Sequence, residues 1–243
     1  MNLLRSATVA SVASLAVLAL AADPKDTPPP VVTPAATFSD GAGAPADAVV
    51  LFDGKDLSKW KSENGGEPKW TLAGGAMQVN GGGLMTREEF GDIQLHLEWA
   101  SPAEVKGDGQ GRGNSGVYFQ GRYEIQVLDS YQNPTYPNGQ ASSFYGHSAP
   151  LVNASRKPGE WQTYDIVFRA PKPTADGKVQ PGSFTVFHNG MLVQDHIPIP
   201  GAATTSAKFT GVAPTGPILL QDHGNPVRYR NIWLRKLAPA PAK

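Results

Sequence analysis

The chain has 243 residues, no cysteine, and 21 Lys plus Arg against 21 Asp plus Glu, so its formal net charge at pH 7 is zero. The missing thiols exclude a disulfide framework and a thiolate metal site, and the balanced charge offers no net field to nucleic acid or to an acidic membrane surface. With 27 Gly, 22 Pro and many short alternating apolar runs in place of long 3.6-residue periodicity, the composition points to an all-β fold.

Residues 1–21 read as a secretory signal: Arg5, an apolar run from Val9 to Leu20, and Ala19-Leu20-Ala21 as a small-residue cleavage site. The run is short and rich in Ala and Ser for a membrane span, and no later stretch is long enough. The mature chain is therefore expected to be periplasmic or secreted without an integral membrane span, a retained N-terminal anchor being the alternative. Residues 22–46, rich in Pro and Ala, read as a linker that cannot bury enough surface to order itself. Residues 47–237 fit one sandwich or barrel domain, and 238–243 form a short Ala/Pro tail. Nothing in the sequence bears on oligomeric state.

Val49 to Phe52 opens the domain as a strand, and Asp56 is expected to N-cap one helical turn before Trp60, which is expected to pack. Trp70 to Leu72, Ala76 to Val79 and Leu84 to Thr86 read as a meander of short strands separated by Gly74-Gly75 and Gly81-Gly82-Gly83. No helix follows those glycines, so they are not a phosphate cradle. Asp92 to Trp99 alternates with Ile93, Leu95, Leu97 and Trp99 on one face, and His96 and Glu98 are expected on a solvated outer face.

A loop from Pro102 to Gly113 leads to two runs, Val117 to Phe119 and Tyr123 to Val127, which form a hairpin around Gln120-Gly121-Arg122. Period-2 geometry puts Glu124 and Gln126 on one face and Tyr123, Ile125 and Val127 on the other. Asp129 is out of phase with Glu124, and a bulge near Val127 or Leu128 would return it to the same face. Arg112 stands where its guanidinium could reach that polar platform, and Asn114 with Ser115 either shapes a turn or contacts a ligand. Ser130 to Pro158 is too long for an ordinary connection and is expected to border the site. There Tyr131, Tyr136, Phe144, Tyr145 and His147 either stack on a ligand or hold the loop down. Trp161 to Phe168 is a strand, and Asn189-Gly190 centres a second hairpin. His188 and His196 flank that hairpin without a third ligand, so no zinc site is read there. Gln221 and His223 fall on the face opposite Ile218 and Leu220 and point toward the cleft. From Val227 to Leu237 neither face is wholly apolar, and Arg230 either enters the cleft or pairs with a surface carboxylate.

The segments Leu51-Phe52-Asp53-Gly54, Asn114-Ser115-Gly116-Val117-Tyr118, Tyr123 to Asp129, Gly159 to Tyr164, Gly216-Pro217-Ile218 with Gln221-Asp222-His223-Gly224, and Arg230-Asn231-Ile232 together resemble the 3-keto-disaccharide hydrolase domain family, formerly a domain of unknown function. The resemblance implies a concanavalin-like jelly-roll sandwich of two antiparallel sheets with carbohydrate on a concave face. Where the family commonly has an Ile-Tyr pair in the loop after the hairpin, this chain has Phe144-Tyr145-Gly146-His147. In a 3-keto sugar the carbonyl acidifies the C2 hydrogen, so a base can remove it, the aglycone on C1 can leave, and water can add back. Glu124 is the expected base and His223 its rival, the former needing burial to raise its pKa. Arg112, Asn114, Gln126, Asp129, Tyr145, Gln221 and Arg230 are the expected carbohydrate-binding residues. No cofactor is expected; the Asp, Gln and His side chains would admit a divalent cation, but no motif requires one. Two other readings stand beside this one: a retaining glycosidase using Glu124 and Asp129, and a lectin-like module without turnover.

Overall fold

The computed structural model describes residues 27–34 and 43–238, so the expected signal segment, residues 1–21, lies outside the described residues. Fifteen strands follow in order among the described residues: β1 Val49–Phe52, β2 Trp60–Ser62, β3 Thr71–Ala73, β4 Ala76–Gln78, β5 Leu84–Thr86, β6 Ile93–Ala100, β7 Ser115–Phe119 and β8 Tyr123–Val127, then β9 Gln162–Arg169, β10 Lys172–Pro173, β11 Val179–Gln180, β12 Gly182–His188, β13 Met191–Ile199, β14 Leu219–Leu220 and β15 Arg228–Lys236. Helix is limited to two three-residue 3₁₀ turns among the described residues, at Gly109–Gly111 and Pro137–Gly139. No helix among the described residues is long and apolar enough to cross a membrane.

The strands form a jelly-roll sandwich, as the resemblance implied. A large sheet runs β13-β12-β9-β6-β15-β4-β3 with β1 also on β15, and a smaller one runs β2-β5-β14-β7-β8. Their facing sides share one apolar core. Leu95, Leu97, Trp99, Phe168, Phe184 and Ile232 come from the large sheet, and Val117, Phe119, Tyr123, Ile125 and Val127 from the small one. Phe119 bridges the layers, with ring centroids 4.9 Å from Phe168 and 5.0 Å from Phe184. Each such fully buried apolar side chain contributes about 1.5–3 kcal/mol. Burying Tyr123, Ile125 and Val127 is what turns Glu124 and Gln126 outward, so the core fixes the register of the site strand. The hairpin at Asn189-Gly190 is present between β12 and β13, with both residues at positive φ.

Several expectations are corrected. The three strands after Trp70 are not one meander: β3 pairs with β4 across Gly74-Gly75, but β5 crosses to the small sheet and pairs with β2 and β14. Asp56 accepts the Ser58 N–H at 2.8 Å, but this closes a local turn and no helix follows. Part of the expected linker is docked: Asn153 donates its N–H to Pro30 O and accepts from Val32 N–H, at 2.8 and 2.9 Å. A Pro-rich segment is already extended, so pairing its backbone costs little further entropy. Val31 nevertheless stays 74% exposed, so the contact adds hydrogen bonds and no core.

His96 and Glu98 are not solvated. Both are fully buried on the outer face of the large sheet. Trp233 stacks on His96 at 5.0 Å, Asp165 holds its Nδ1 at 2.7 Å, and Glu98 accepts from Arg230 Nε at 2.6 Å and from Asn231 Nδ2 at 2.8 Å. Burial works against the charge on His96, but Asp165 and Glu98 outweigh it and raise the imidazole to about 9. Burial likewise pushes the Glu98 carboxyl up, and bonds from His96, Asn231 and Arg230 overcome it and hold it at about 2. A bulge makes this roof possible. Asn231 has φ 47°, the β15–β6 register shifts between Arg230 and Trp233, and parity reverses so that Tyr229, Ile232 and Leu234 all face the core. That reversal is why neither face of the segment reads as apolar.

The docked segment gives a stability test. Removing residues 1–42 forfeits the two Asn153 backbone bonds, each worth about 1 kcal/mol, and thermal unfolding should show a midpoint lowered by less than about 8 °C. A collapse of the cooperative transition would show that the segment belongs to the fold.

Candidate active site

The β7–β8 hairpin turns at Gln120-Gly121, both at positive φ, and closes with the Arg122 N–H on Phe119 O at 3.0 Å. Its register puts Tyr118 opposite Glu124 and Gly116 opposite Gln126, so Tyr118 and Glu124 share the outward face of the small sheet. Beyond β8 the chain returns along its open edge: Gln126 N–H donates to Ser143 O, and Tyr145 N–H donates to Glu124 O, both at 3.1 Å. Tyr145 is thereby fixed beside Glu124. From the other side the Glu124 N–H donates to Thr204 Oγ1 at 3.2 Å, which brings Thr205 and Ser206 to the rim.

A pocket of about 40 Å³ results, and six expected residues line it: Asn114, Glu124, Gln126, Tyr145, Gln221 and His223. Tyr118, Thr205 and Ser206 complete it. The last three were not read from the sequence. Tyr118 was within reach, because continuing period 2 across the hairpin puts it opposite Glu124. Thr205 and Ser206 lie in an irregular segment with no periodic signal.

Glu124 is 3% exposed. Its Oε2 accepts from the Tyr118 hydroxyl at 2.8 Å, while Oε1 has no hydrogen-bond partner among the described residues. The carboxyl lies over Gly116, where any Cβ would collide with Oε1, so only glycine admits this position. Burial pushes the carboxyl up from 4.5 to about 8, against the smaller lowering effect of the Tyr118 hydrogen bond. The Tyr118 hydroxyl is in turn raised by burial and by the Glu124 charge, so it stays a donor. Gln221 Nε2 donates to that hydroxyl at 3.1 Å, giving a chain Gln221, Tyr118, Glu124. Gln221 Oε1 is buried with no partner among the described residues, a desolvated acceptor that a ligand hydroxyl would satisfy.

Asn114 and Gln126 are tied to the protein. Asn114 Nδ2 donates to Gln110 O at 2.7 Å, and Gln126 Nε2 donates to Gln110 Oε1 at 2.8 Å. The Tyr145 hydroxyl is paired with that of Tyr136. His223 is exposed at the rim.

Three expected residues are elsewhere. Arg230 lies on the outer face of the large sheet, bound to Glu98 with its guanidinium 4.0 Å from the Trp161 ring centroid, so the whole sandwich separates it from Glu124. Asp129 does not rejoin Glu124, because no register shift interrupts β7–β8 pairing. Arg112 follows Asp129, binding its Oδ2 through Nε at 2.7 Å and the Tyr131 carbonyl through Nη2 at 2.9 Å. Both line a second, larger cavity beside the Glu124 pocket. Among the described residues no group of three or more His, Cys, Asp or Glu could hold a metal ion.

The raised carboxyl has a thermodynamic signature. A folded pKa near 8 above an ordinary 4.5 means that the folded state binds the extra proton, so this contribution is full below 4.5 and is lost as pH rises through 8. Glu124→Gln removes the titration. Its stability advantage over the native chain should grow between pH 5 and pH 8 by up to about 1.4 kcal/mol per pH unit and then level off. Urea unfolding across that range measures it, and a difference independent of pH would show an unshifted carboxyl.

Comparison with known proteins agrees with this architecture. The 3-keto-alpha-glucoside-1,2-lyase-like domain matches residues 47–235. A crystal structure of a Parabacteroides distasonis protein, assigned as a glycosyl hydrolase, is 48% identical, with TM-score 0.77 over 86% of this chain and 92% of that one. Two further proteins of that organism with the same assignment are 19% and 22% identical, with TM-scores of 0.60 and 0.54, over 79% and 78% of this chain and 94% and 99% of theirs. These two share the fold. No curated protein matches the chain. By its sequence match over nearly the whole described domain, the chain belongs to the 3-keto-alpha-glucoside-1,2-lyase-like domain family.

Proposed function

We propose that the protein cleaves 3-keto-glycosides by removing the C2 proton, eliminating the aglycone from C1 and hydrating the product. The observation that carries this reading is the buried Glu124 carboxyl at the pocket, raised to about 8, with Oε1 lacking a hydrogen-bond partner among the described residues. A carboxylate of ordinary pKa is a weak base toward a carbon acid, and one poised near neutrality is matched to the task. In the first step Glu124 takes the proton from C2, the C2–H electrons form the enolate, and its charge rests on the C3 oxygen. The enolate then re-forms the ketone, the new double bond joins C1 and C2, and the C1–O bond breaks. The departing oxygen takes a proton from His223 or from water. Water then adds its oxygen to C1 and gives up a proton to the group that protonated the departing oxygen, Glu124 returns its proton to C2, and the sum is hydrolysis. Tyr145 and Asn114 are the donors proposed for the sugar oxygens, and Gln221 Oε1 accepts from a hydroxyl. Tyr118 positions Glu124 and keeps one oxygen occupied, leaving the other for C2.

A retaining glycosidase needs two carboxyls roughly 5–5.5 Å apart. Glu124 lies on β8, which ends at Val127, while Asp129 lies beyond its end and lines the neighbouring cavity, and no second carboxylate lines the Glu124 pocket among the described residues. That geometry favours elimination. We further propose that the chain works outside the cytoplasm, on the strength of the apolar run Val9 to Leu20 and the Ala19-Leu20-Ala21 site.

A 3-keto glucoside should be cleaved and its unoxidised parent should not. In deuterated water the product should gain deuterium at C2, read by mass spectrometry against a no-enzyme control. Glu124→Gln should lower kcat by a factor of about 10²–10⁴, with binding retained. Cleavage of the plain glycoside without label would instead indicate displacement at C1. Binding without cleavage of either sugar would indicate a lectin-like module, and full activity of Glu124→Gln with loss in His223→Gln would exchange the base.

A further inference from the structure

In an elimination the proton leaves C2 and the departing oxygen leaves C1, so base and acid act on neighbouring carbons and must stand close to one another. Tyr145 meets that condition. Its N–H donates to the Glu124 carbonyl at 3.1 Å, and it lines the same pocket as the Glu124 carboxyl. Its hydroxyl shares a hydrogen bond with that of Tyr136, whose ring lies over Gly139, where any Cβ would collide with it. The turn that carries Tyr136 is pinned in place. Gly146 N–H donates to Asn138 O at 2.9 Å, and Gln110 Nε2 donates to Thr135 Oγ1 at 3.1 Å and to Gly139 O at 2.9 Å. Gln110 Oε1 accepts from Gln126 Nε2 at 2.8 Å, so one side chain braces the tyrosine pair against the strand that carries Glu124. His223 has no such anchorage: it is exposed, and its ring makes no hydrogen bond among the described residues.

We propose that Tyr145 is the general acid at the departing oxygen, and that Tyr136 positions it and stabilises its charge. This rests on the 3-keto-glycoside reading above. As the C1–O bond breaks, its electrons pass to the departing oxygen and the Tyr145 hydroxyl supplies the proton. The aglycone leaves as an alcohol and Tyr145 is left as a phenolate. Tyr136 then donates its hydrogen bond to that anion, and a bond to an ionised acceptor is roughly twice as strong as a neutral one. Incoming water adds its oxygen to C1 and returns a proton to Tyr145. The site carries one negative charge throughout, first on Glu124, then on the enolate and then on Tyr145, which suits a pocket lined by no Arg or Lys among the described residues. Tyr136 enters the reaction protonated, because partial burial, its bond to Tyr145 and the charges of Tyr145 and Glu124 all raise its hydroxyl. The influence of Glu124 on Tyr136 places the pair within electrostatic reach of the base. Since Tyr136 is 44% exposed, solvent reaches the pair without entering past Glu124.

The acidity of the leaving group separates this role from a structural one. A para-nitrophenolate departs without a proton, and methoxide does not. The measurement is kcat on para-nitrophenyl and methyl 3-keto-glucosides, corrected for uncatalysed breakdown, in the native chain, Tyr145→Phe, Tyr136→Phe and His223→Gln, with thermal unfolding of each variant beside it. Tyr145→Phe should lower kcat on the methyl glycoside by a factor of about 10²–10⁴ and leave the nitrophenyl glycoside nearly unchanged. Tyr136→Phe should repeat that pattern with a loss on the order of tenfold, and it carries the same test should Tyr145→Phe not fold. In deuterated water, unreacted methyl glycoside recovered from Tyr145→Phe should gain deuterium at C2, because Glu124 still removes and returns that proton. Equal losses on both glycosides in a folded variant, no loss in Tyr145→Phe, or the selective loss appearing in His223→Gln instead would each overturn the assignment. Cleavage of neither glycoside by the native chain would overturn the 3-keto-glycoside reading itself, and this one with it.

Discussion

Desolvation of a single carboxyl governs the site. Glu124 could not lie where it does with any side chain at residue 116, and it would not be raised to about 8 if its neighbours supplied cations or several donors. Instead it has one hydroxyl partner, Tyr118, flanked by Tyr145 on the returning edge segment and by Thr204 to Ser206 on the other side. Those segments exclude water, and the apolar underside of β8 keeps the strand from rotating.

Glu98 provides an internal comparison. It too is a fully buried glutamate on an outward sheet face, yet it is held at about 2 because His96, Asn231 and Arg230 all stabilise its charge. The same side chain is thus a fixed anion on one sheet and a carboxyl raised by burial on the other. The charged cluster on the large sheet has no unpaired carboxyl oxygen to offer, since Arg230 and Asn231 take both oxygens of Glu98. It holds Trp233 on His96 of β6 and Arg230 against the Trp161 ring, and it explains why Arg230 belongs to the scaffold. The Arg112–Asp129 pair differs again: it is largely buried, and it lines the cavity beside the Glu124 pocket.

Much of this arrangement was legible in the sequence where local geometry decides it. Period 2 in Tyr123 to Val127 assigned Glu124 and Gln126 to one face, and the Gln120-Gly121 and Asn189-Gly190 turns fixed the two hairpins. Gln221 and His223 joined the pocket because β14 pairs with β7. Features set by non-local packing were not legible. The solvated-face reading of His96 and Glu98 failed because Trp233, from a strand distant in sequence, stacks on His96, and Arg230 and Asn231 cover Glu98. The parity of β15 was hidden by the bulge at Asn231, and Asp129 was displaced because the bulge expected near Val127 is absent from the pairing. Tyr118 gives no polar signal in the strand pattern, because its ring is apolar, yet its hydroxyl bonds Glu124.

In the proposed reaction catalysis waits on the ionisation of Glu124, and the pH dependence of kcat/KM on a 3-keto-glycoside tests this most directly. The profile should rise with pH to an apparent pKa of about 8, the value set by burial of this carboxyl. A rise instead centred near the ordinary imidazole value of about 6.5, or near that of an exposed carboxylate, would contradict it.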